Sequence, residues 1–272
     1  MDLFGGHFLE FLKISKQTSG DSYAAIARRV TASKGLAGTL DGFLPWGVLQ
    51  AVAKGAVFSY GQALSLNALA RAGVDRDTRM VVSGGVGGFA QGLAMSPLLL
   101  LKTRVMTDGA FRATGGVLAT AAASLAVGSR VVAAEGPAAL FKGVWLFAGK
   151  RAADWMTRYL FVVLVENAMR GERGAKLSDS AEAAASLIGG AISAVSTIPL
   201  DVMVSATQSA GAAGKKVTFA DKVKEHGARG MLAFATKGLV ARIAHVAMMT
   251  LAMKKGTSLL YEVLYPEAPA PK

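Results

Sequence analysis

Two long apolar stretches dominate the pattern of hydrophobic and polar positions along the chain. Residues 81–101 carry no charged side chain, and neither do residues 183–200. A helix needs about 20 apolar residues to cross a bilayer, so the first stretch is long enough and the second just suffices. Stretches near residues 44–70, 145–169 and 239–262 are apolar with isolated charges, which is typical of bundle helices that line a polar space. The pattern predicts an all-α, multi-pass membrane protein.

A six-residue sequence motif recurs about every hundred residues. Its copies are residues 8–13, 97–102 and 199–204, and its full form is a proline, an acid two residues later and a base three residues after the acid. Self-similarity at a fixed period indicates tandem structural units. We therefore expect three repeats, 1–72, 73–172 and 173–264, followed by a disordered tail over 265–272.

Each repeat is predicted to combine long helices with one short surface helix. The first long helix is expected to end at Gln17, and the other five are expected to cover 44–69, 79–107, 143–169, 181–208 and 237–264. The short helices are expected over 22–32, 113–134 and 217–225. Residues 113–134 are apolar enough to span a membrane, but they are rich in Ala and Gly and match 22–32 in the repeat. We therefore place them in the plane of the interface.

Composition supports the membrane assignment and removes several functional classes. Hydrophobic residues make up 52% of the chain and charged residues 18%, below the roughly 25% usual in soluble proteins. The net charge of +12 lies near helix ends and connections, which favours lipid headgroups or an anionic solute over nucleic acid. The chain has no cysteine, and His7, His226 and His245 lack ligand spacing. We therefore expect that the protein is not an enzyme and that it binds no metal and no cofactor.

Small residues form one face in two of the long helices, those expected over 79–107 and 181–208. Gly84, Gly88 and Gly92 lie four residues apart, as do Gly190 and Ala194, and such faces let helix backbones approach closely in a bilayer. Residues 85–90 also imitate a dinucleotide-binding turn. That alternative requires a following strand that ends in an acid, whereas the apolar run continues to residue 101.

The repeats resemble the mitochondrial carrier family, whose motif is Pro-x-acid-x-x-base followed by acid-Gly-x-x-x-x-aromatic-base-Gly. The second segment is complete at residues 135–143 and degenerate at 34–42 and 227–238. The resemblance implies a pseudo-threefold carrier fold in the mitochondrial inner membrane, with six spanning helices, short matrix-side helices and one central solute site. It also implies bound membrane lipid, cardiolipin above all, at Gly136, Lys142 and Gly143. Residues 45–46, 54–57, 154–158 and 242 look most like the fungal citrate–oxoglutarate carrier branch.

In the family, each motif acid pairs with the base of the next repeat and closes the matrix side of the cavity. The resemblance therefore implies a matrix gate made of Glu10 with Lys102 and of Asp201 with Lys13. The third pair would be Leu99 with Val204, where both charges are absent. Gln17 and Gln208 stand where the family often has a bracing glutamine, and Met106 stands at the third such position. The alternative is that the charges are ordinary helix-end residues.

The even-numbered helices carry basic residues at comparable depth. Lys54, Lys150 with Arg151, and Arg242 come from different repeats, and intramembrane cations usually mark a solute pathway. Since arginine suits carboxylates, we expect a small anionic carboxylate solute of the di- or tricarboxylate class. The alternative is that Lys150, Arg151 and Arg158 reach the interface or pair with Asp154 and Glu166.

The first spanning helix is expected to be truncated, because only nine residues precede Glu10. Three explanations remain open: an incomplete start of the chain, a transport-silent homologue that is a subunit of a larger inner-membrane assembly, or a partner helix that completes a working carrier. Together, the carrier resemblance and the basic residues predict carboxylate exchange by alternating access as the function. Its alternative is a structural role in a respiratory-chain or ATP synthase complex.

Overall fold

The computed structural model of the chain describes residues 6–19, 21–113, 115–170, 177–209 and 219–247. These residues are mostly helical, and no β-strand occurs among them. The helices are α1 (His7–Ser19), α2 (Tyr23–Lys34), α3 (Val48–Arg71), α4 (Arg76–Thr107), α5 (Ala110–Ala113), α6 (Val117–Glu135), α7 (Val144–Met169), α8 (Asp179–Ser209) and α9 (Phe219–Ala235), and α10 over residues 239–247. Two 3-10 helices, Gly35–Leu40 and Pro137–Phe141, and a π-helical turn, Phe43–Gly47, precede α3 and α7.

The helices expected from the hydrophobic pattern are confirmed wherever the structure describes them, mostly with ends that differ by a few residues. The exception is the short helix expected over 217–225, because α9 extends to Ala235 across a kink at Gly227. Helix α4 begins at Arg76 because Asp75 caps it, its carboxylate accepting a hydrogen bond of 3.0 Å from the backbone N–H of Thr78. The hydrogen bonds from Thr78 also lower the pKa of Asp75. The expected helix over 237–264 is described only as far as residue 247, and the tail 265–272 lies outside the described residues.

Within the described part, three helices are long and apolar enough to cross a membrane. They are α4, α6 and residues Asp179–Gln208 of α8. Helix α6 buries only one face, made of Thr120, Ser124, Val127 and Val131. That face packs near the last turns of α4, where Leu101 and Val105 join Val127 in one core cluster. The position of α6 in the plane of the interface stays a prediction.

Helix α4 lies between α3 and α7, and α7 in turn packs against α8. Glycines bring α4 and α7 close together. A Cβ added at Gly88 would lie 2.7 Å from Cδ1 of Trp155 and closer still to the carbonyl oxygen of Arg151. A Cβ at Gly84 would clash with the ring of Tyr159, and one at Gly92 with the backbone of Ala148. The predicted small-residue face of α4 is therefore the surface on which α7 packs.

Helix α1 contacts both α4 and α8 near the motif segments of the chain. Pro97 lies inside α4 and Pro199 inside α8, each a few residues before that contact. Helix α2 covers the same end, since its Ile26 and Val30 form a buried cluster with Phe11 and Ile14 of α1. The three motif segments are therefore brought to one end of the helix bundle.

We predict that Gly88→Ala lowers the free energy of unfolding by about 1–3 kcal/mol, because the new methyl group would overlap the backbone of α7. Thermal unfolding of the purified protein in detergent measures this. Gly149→Ala is the matched control, since a Cβ at Gly149 of α7 meets nothing within 4 Å. Equal midpoints for the two variants would contradict the close packing of α4 on α7.

Candidate functional site: a buried ion cluster between two cavities

Two ion pairs join α1 to its neighbours. Nζ of Lys102 on α4 donates a hydrogen bond of 2.6 Å to Oε2 of Glu10 and one of 3.1 Å to Oε1 of Gln50. Nζ of Lys13 lies 3.4 Å from Oδ2 of Asp201 on α8. The contacts implied by the carrier resemblance are therefore present. The role of Glu10, Lys13, Lys102 and Asp201 as a matrix gate stays a prediction.

The third pair of motif positions forms an apolar contact. Leu99 and Val204 are both buried and belong to one cluster with Met95 and Phe147. Loss of both charges together leaves no uncompensated ion in a low-dielectric environment, which a single loss would do. Helices α4 and α8 are thus held at this level by hydrophobic burial.

The glutamines of the motif segments are buried and have different partners. Oε1 of Gln17 accepts a hydrogen bond of 2.6 Å from Oγ of Ser205, and its Nε2 donates one of 3.4 Å to the carbonyl oxygen of Lys237. Gln17 therefore connects α1 to α8 and to the start of α10. Gln208 is 1% exposed, and neither of its side-chain amide atoms has a hydrogen-bond partner among the described residues. Its role as a brace stays a prediction.

A larger ion cluster lies beside the Lys13–Asp201 contact. Nζ of Lys150 lies 2.6 Å from Oδ1 of Asp201 and 2.6 Å from Oδ2 of Asp154. Arg242 of α10 donates a hydrogen bond of 2.6 Å to Oδ1 of Asp154 and a second one to Asp201. These side chains are all at least nine-tenths buried. The cluster therefore links α1, α7, α8 and α10 through charges that cannot be solvated by bulk water.

This arrangement corrects the expected composition of the solute site. Asp201 was expected only in the matrix gate, but it also contacts Lys150 and Arg242 of the expected solute site. The motif acid of the third repeat is therefore shared between the expected gate and the expected solute site. The sequence signal for this sharing was weak, because Asp201 and Arg242 are far apart in the chain.

The alternative expectation was that Lys150, Arg151 and Arg158 of α7 reach the interface or pair with Asp154 and Glu166, and some of these pairs are present. Lys150 and Arg151 both pair with Asp154, the latter at 3.6 Å. Glu166 pairs instead with Arg170 at 3.2 Å. Arg158 forms no ion pair with any described carboxylate and lies over the ring of Trp155, with its Cζ atom 5.0 Å from the ring centroid.

The charges of the cluster do not balance. Four basic side chains, Lys13, Lys150, Arg151 and Arg242, lie within 4 Å of the two carboxylates of Asp154 and Asp201. Among these described groups there is a formal excess of two positive charges. Such a cluster attracts an anion, because unbalanced buried charge is unfavourable.

A cavity lies on each side of this layer of charges. The first, of about 130 Å³, extends toward the motif end and is lined by Glu10, Lys13, Val204 and Gln208. The second, of about 410 Å³, extends toward the opposite end and is lined by Phe58, Gln62, Trp155 and Tyr159. Both cavities are also lined by Lys54, Gln91, Arg151, Arg242 and His245. The four residues expected to bind solute are therefore near or within the region shared by the two cavities.

Gln91 orients part of that shared wall. Its Oε1 accepts a hydrogen bond of 2.7 Å from Nε of Arg151, and its Nε2 donates one of 2.7 Å to the carbonyl oxygen of Lys54. The amide thus connects α3, α4 and α7 at one level. The sequence pattern did not predict this role of Gln91, although Gln91 is the longest polar side chain in the uncharged run 81–101.

The glycine-rich segments after α2 and α6 have related backbones but exchanged charges. Gly136 and Gly143 adopt positive φ angles of 82° and 77°, as do Gly35 and Gly42 at 59° and 77°. In the second repeat Glu135 pairs with Arg104 at 3.2 Å.

In the first repeat the acid position is Lys34 and the base position is Asp41. These two side chains pair with each other at 2.8 Å. The binding of lipid at Gly136, Lys142 and Gly143 stays a prediction.

Comparison with known proteins agrees with this geometry. Residues 77–171 match the family of mitochondrial carrier proteins. The citrate/oxoglutarate carrier protein of Saccharomyces cerevisiae is 26% identical over 196 residues, which are 70% of this chain and 62% of that relative. The chain therefore spans less than two thirds of the length of this relative. The similarity to the family, expected from the repeated motifs, is confirmed, and so is the similarity to its citrate–oxoglutarate branch, expected from single positions such as Arg242.

We predict that Asp201→Asn lowers the free energy of unfolding by about 3–5 kcal/mol, because it removes one carboxylate from a cluster that already has excess positive charge. Thermal unfolding in detergent at constant ionic strength measures the loss. Glu182→Gln is the control, since Glu182 is exposed on the same helix. Equal unfolding midpoints for Asp201→Asn and Glu182→Gln would show that the cluster does not hold the helices together.

Proposed function

We propose that this relative of the mitochondrial carrier proteins is a membrane transporter that exchanges small di- and tricarboxylates of the citrate and 2-oxoglutarate type. Its location would be the mitochondrial inner membrane, which it would cross several times. The similarity of residues 77–171 to carrier proteins supports the general class. The proposed substrate rests on the similarity to a citrate/oxoglutarate carrier together with the chemistry of the ion cluster.

The excess of positive charge in the cluster is the observation that carries this proposal. A dicarboxylate would supply two negative charges to a region where two are missing. Arginine binds carboxylate through two parallel hydrogen bonds, and Arg151 borders both cavities. The solute would lie between Lys54, Arg151 and Arg242, with Lys150 behind them.

The proposed mechanism is alternating access through a bundle of six helices with pseudo-threefold symmetry. In that scheme α1, α4 and α8 are the odd-numbered helices, and α3, α7 and α10 the even-numbered ones. The Glu10–Lys102 and Lys13–Asp201 pairs would close the motif end, and opening would separate them. A bound carboxylate would compete with Asp201 and Asp154 for Lys150 and Arg242, so that solute binding would loosen the contacts that keep this end closed.

Membrane lipid is proposed as a structural partner. Gly143 caps the start of α7 with its left-handed backbone conformation, and Phe141 just before it is half exposed. The free N–H groups at a helix start attract anionic headgroups. Cardiolipin bound near Gly136, Lys142 and Gly143 would anchor the junction between α6 and α7.

A second candidate function is a transport-silent structural subunit of a respiratory-chain or ATP synthase complex. The observation in its favour is that Asp154 and Asp201 already hold Lys150 and Arg242 through short contacts. These internal carboxylates would then serve as permanent counter-ions. Native gel electrophoresis after gentle solubilisation separates the candidates: comigration with a large complex at fixed stoichiometry, without exchange activity, would support the structural role.

We predict that the protein in proteoliposomes exchanges 2-oxoglutarate or citrate, and that Arg242→Ala reduces the initial rate at least tenfold. The reason is that Arg242 borders both cavities and holds both carboxylates of the cluster. Arg170→Ala is the control, because Arg170 is a partly exposed arginine that follows the last residue of α7 and pairs with Glu166. Unchanged exchange by a folded Arg242→Ala protein would refute the assignment of the solute site.

A further inference from the structure

Arg158 differs from the other basic residues around the two cavities. It lines the larger cavity, but no carboxylate among the described residues is within ion-pair distance of it. Lys150, Arg151 and Arg242, in contrast, all contact Asp154. A guanidinium that faces a cavity without a counter-ion retains the donors that can bind an anion.

The indole of Trp155 holds Arg158 in place. Cζ of Arg158 lies 5.0 Å from the centroid of the Trp155 ring, and Cζ of Arg151 lies 5.8 Å from it. Trp155 is itself stacked on Phe58, with a centroid distance of 4.1 Å. A guanidinium held over an aromatic ring by a cation–π contact makes no hydrogen bond there, so its N–H groups stay available as donors.

Tyr159 offers a further donor in the same cavity. Its hydroxyl oxygen accepts a hydrogen bond of 3.0 Å from Nε2 of Gln62, so its own proton is free to bind a ligand. No acceptor for that proton is found among the described residues. The hydroxyl, the amide and the guanidinium therefore line one wall of a cavity of about 410 Å³.

We propose that Arg158, held over the ring of Trp155 and accompanied by Tyr159 and Gln62, forms an outer carboxylate-binding site that is distinct from the central ion cluster. Arg158 follows Arg151 by two helical turns, which places the outer site about 10 Å along α7 from the central one. A solute carboxylate would bind there first and would then pass to Arg151 and Arg242. The inference rests on the proposed function, because the anion it assigns is the transported carboxylate.

The two sites differ in whether their cations already have counter-ions, and this difference explains how the outer site would assist binding. The central cations are already neutralised in part by Asp154 and Asp201, so a solute must displace these contacts when it arrives. Arg158, which forms no ion pair with a described carboxylate, does not require such a displacement. The outer site would therefore raise the local concentration of the anion beside a central site that exchanges its partners slowly.

Fluorescence of Trp155 tests the proposal directly and without transport. The chain has three tryptophans, so Trp46→Phe with Trp145→Phe leaves Trp155 as the single reporter. We predict a saturable change in its emission when 2-oxoglutarate is titrated into the protein in lipid nanodiscs at constant ionic strength. Arg158→Gln in this background should weaken binding about tenfold or more, because it removes a charge-assisted bidentate contact. Arg170→Gln should leave the titration unchanged.

Folding of the single-tryptophan protein is checked by its thermal midpoint. If it does not fold, the same titration is made on the native three-tryptophan chain, with 2-oxoglutarate-induced thermal stabilisation as the second readout. Equal affinity of Arg158→Gln and Arg170→Gln would overturn the outer site. The proposed function fails separately: a protein that binds 2-oxoglutarate through Arg158 but exchanges no carboxylate would keep the outer site and lose the transport assignment.

Discussion

The burial of two carboxylates among cations from different helices is the constraint on which this structure depends. Asp154 and Asp201 are both almost inaccessible to solvent, and an isolated carboxylate in such surroundings would be strongly unfavourable. Their stabilisation requires Lys13 from α1, Lys150 from α7 and Arg242 from α10 at the same place. The ion cluster therefore fixes the relative positions of helices that are distant in sequence, and it also creates the positive excess that an anion can balance.

The close packing of α4 on α7 positions the rest of the site. Because Gly88 has no side chain, the backbone of α7 at Arg151 and the ring of Trp155 approach α4 directly. This brings Gln91 within hydrogen-bonding distance of Arg151 and presents Trp155 to Phe58 of α3. The placement of Arg151 and Trp155 in the wall of the larger cavity is thus a consequence of a small-residue face on a neighbouring helix.

Local sequence patterns predicted the helices well and the site in part. Apolar runs, the prolines Pro97 and Pro199, and the glycine spacing each report on a single helix or on one contact face, and these features were found correctly. The central role of Asp201 was not, because the repeat assigns it one partner, whereas burial forces it to serve three cations. Arg158 was read only as a charge of α7. Its three-residue spacing from Trp155 places both on one helix face, but the sequence does not show that Arg158 lacks an ion pair with every carboxylate in the described part of the chain.

The central claim is that the buried cluster has a positive excess that a dicarboxylate balances. The most direct measurement is the thermal unfolding midpoint of the purified protein in detergent at fixed ionic strength, with 2-oxoglutarate compared with a monocarboxylate of similar length. Binding to the folded state alone raises the midpoint with ligand concentration. The account predicts a clearly larger rise with the dicarboxylate, which Arg242→Ala abolishes. Equal shifts with both anions, or no shift with either, would contradict it.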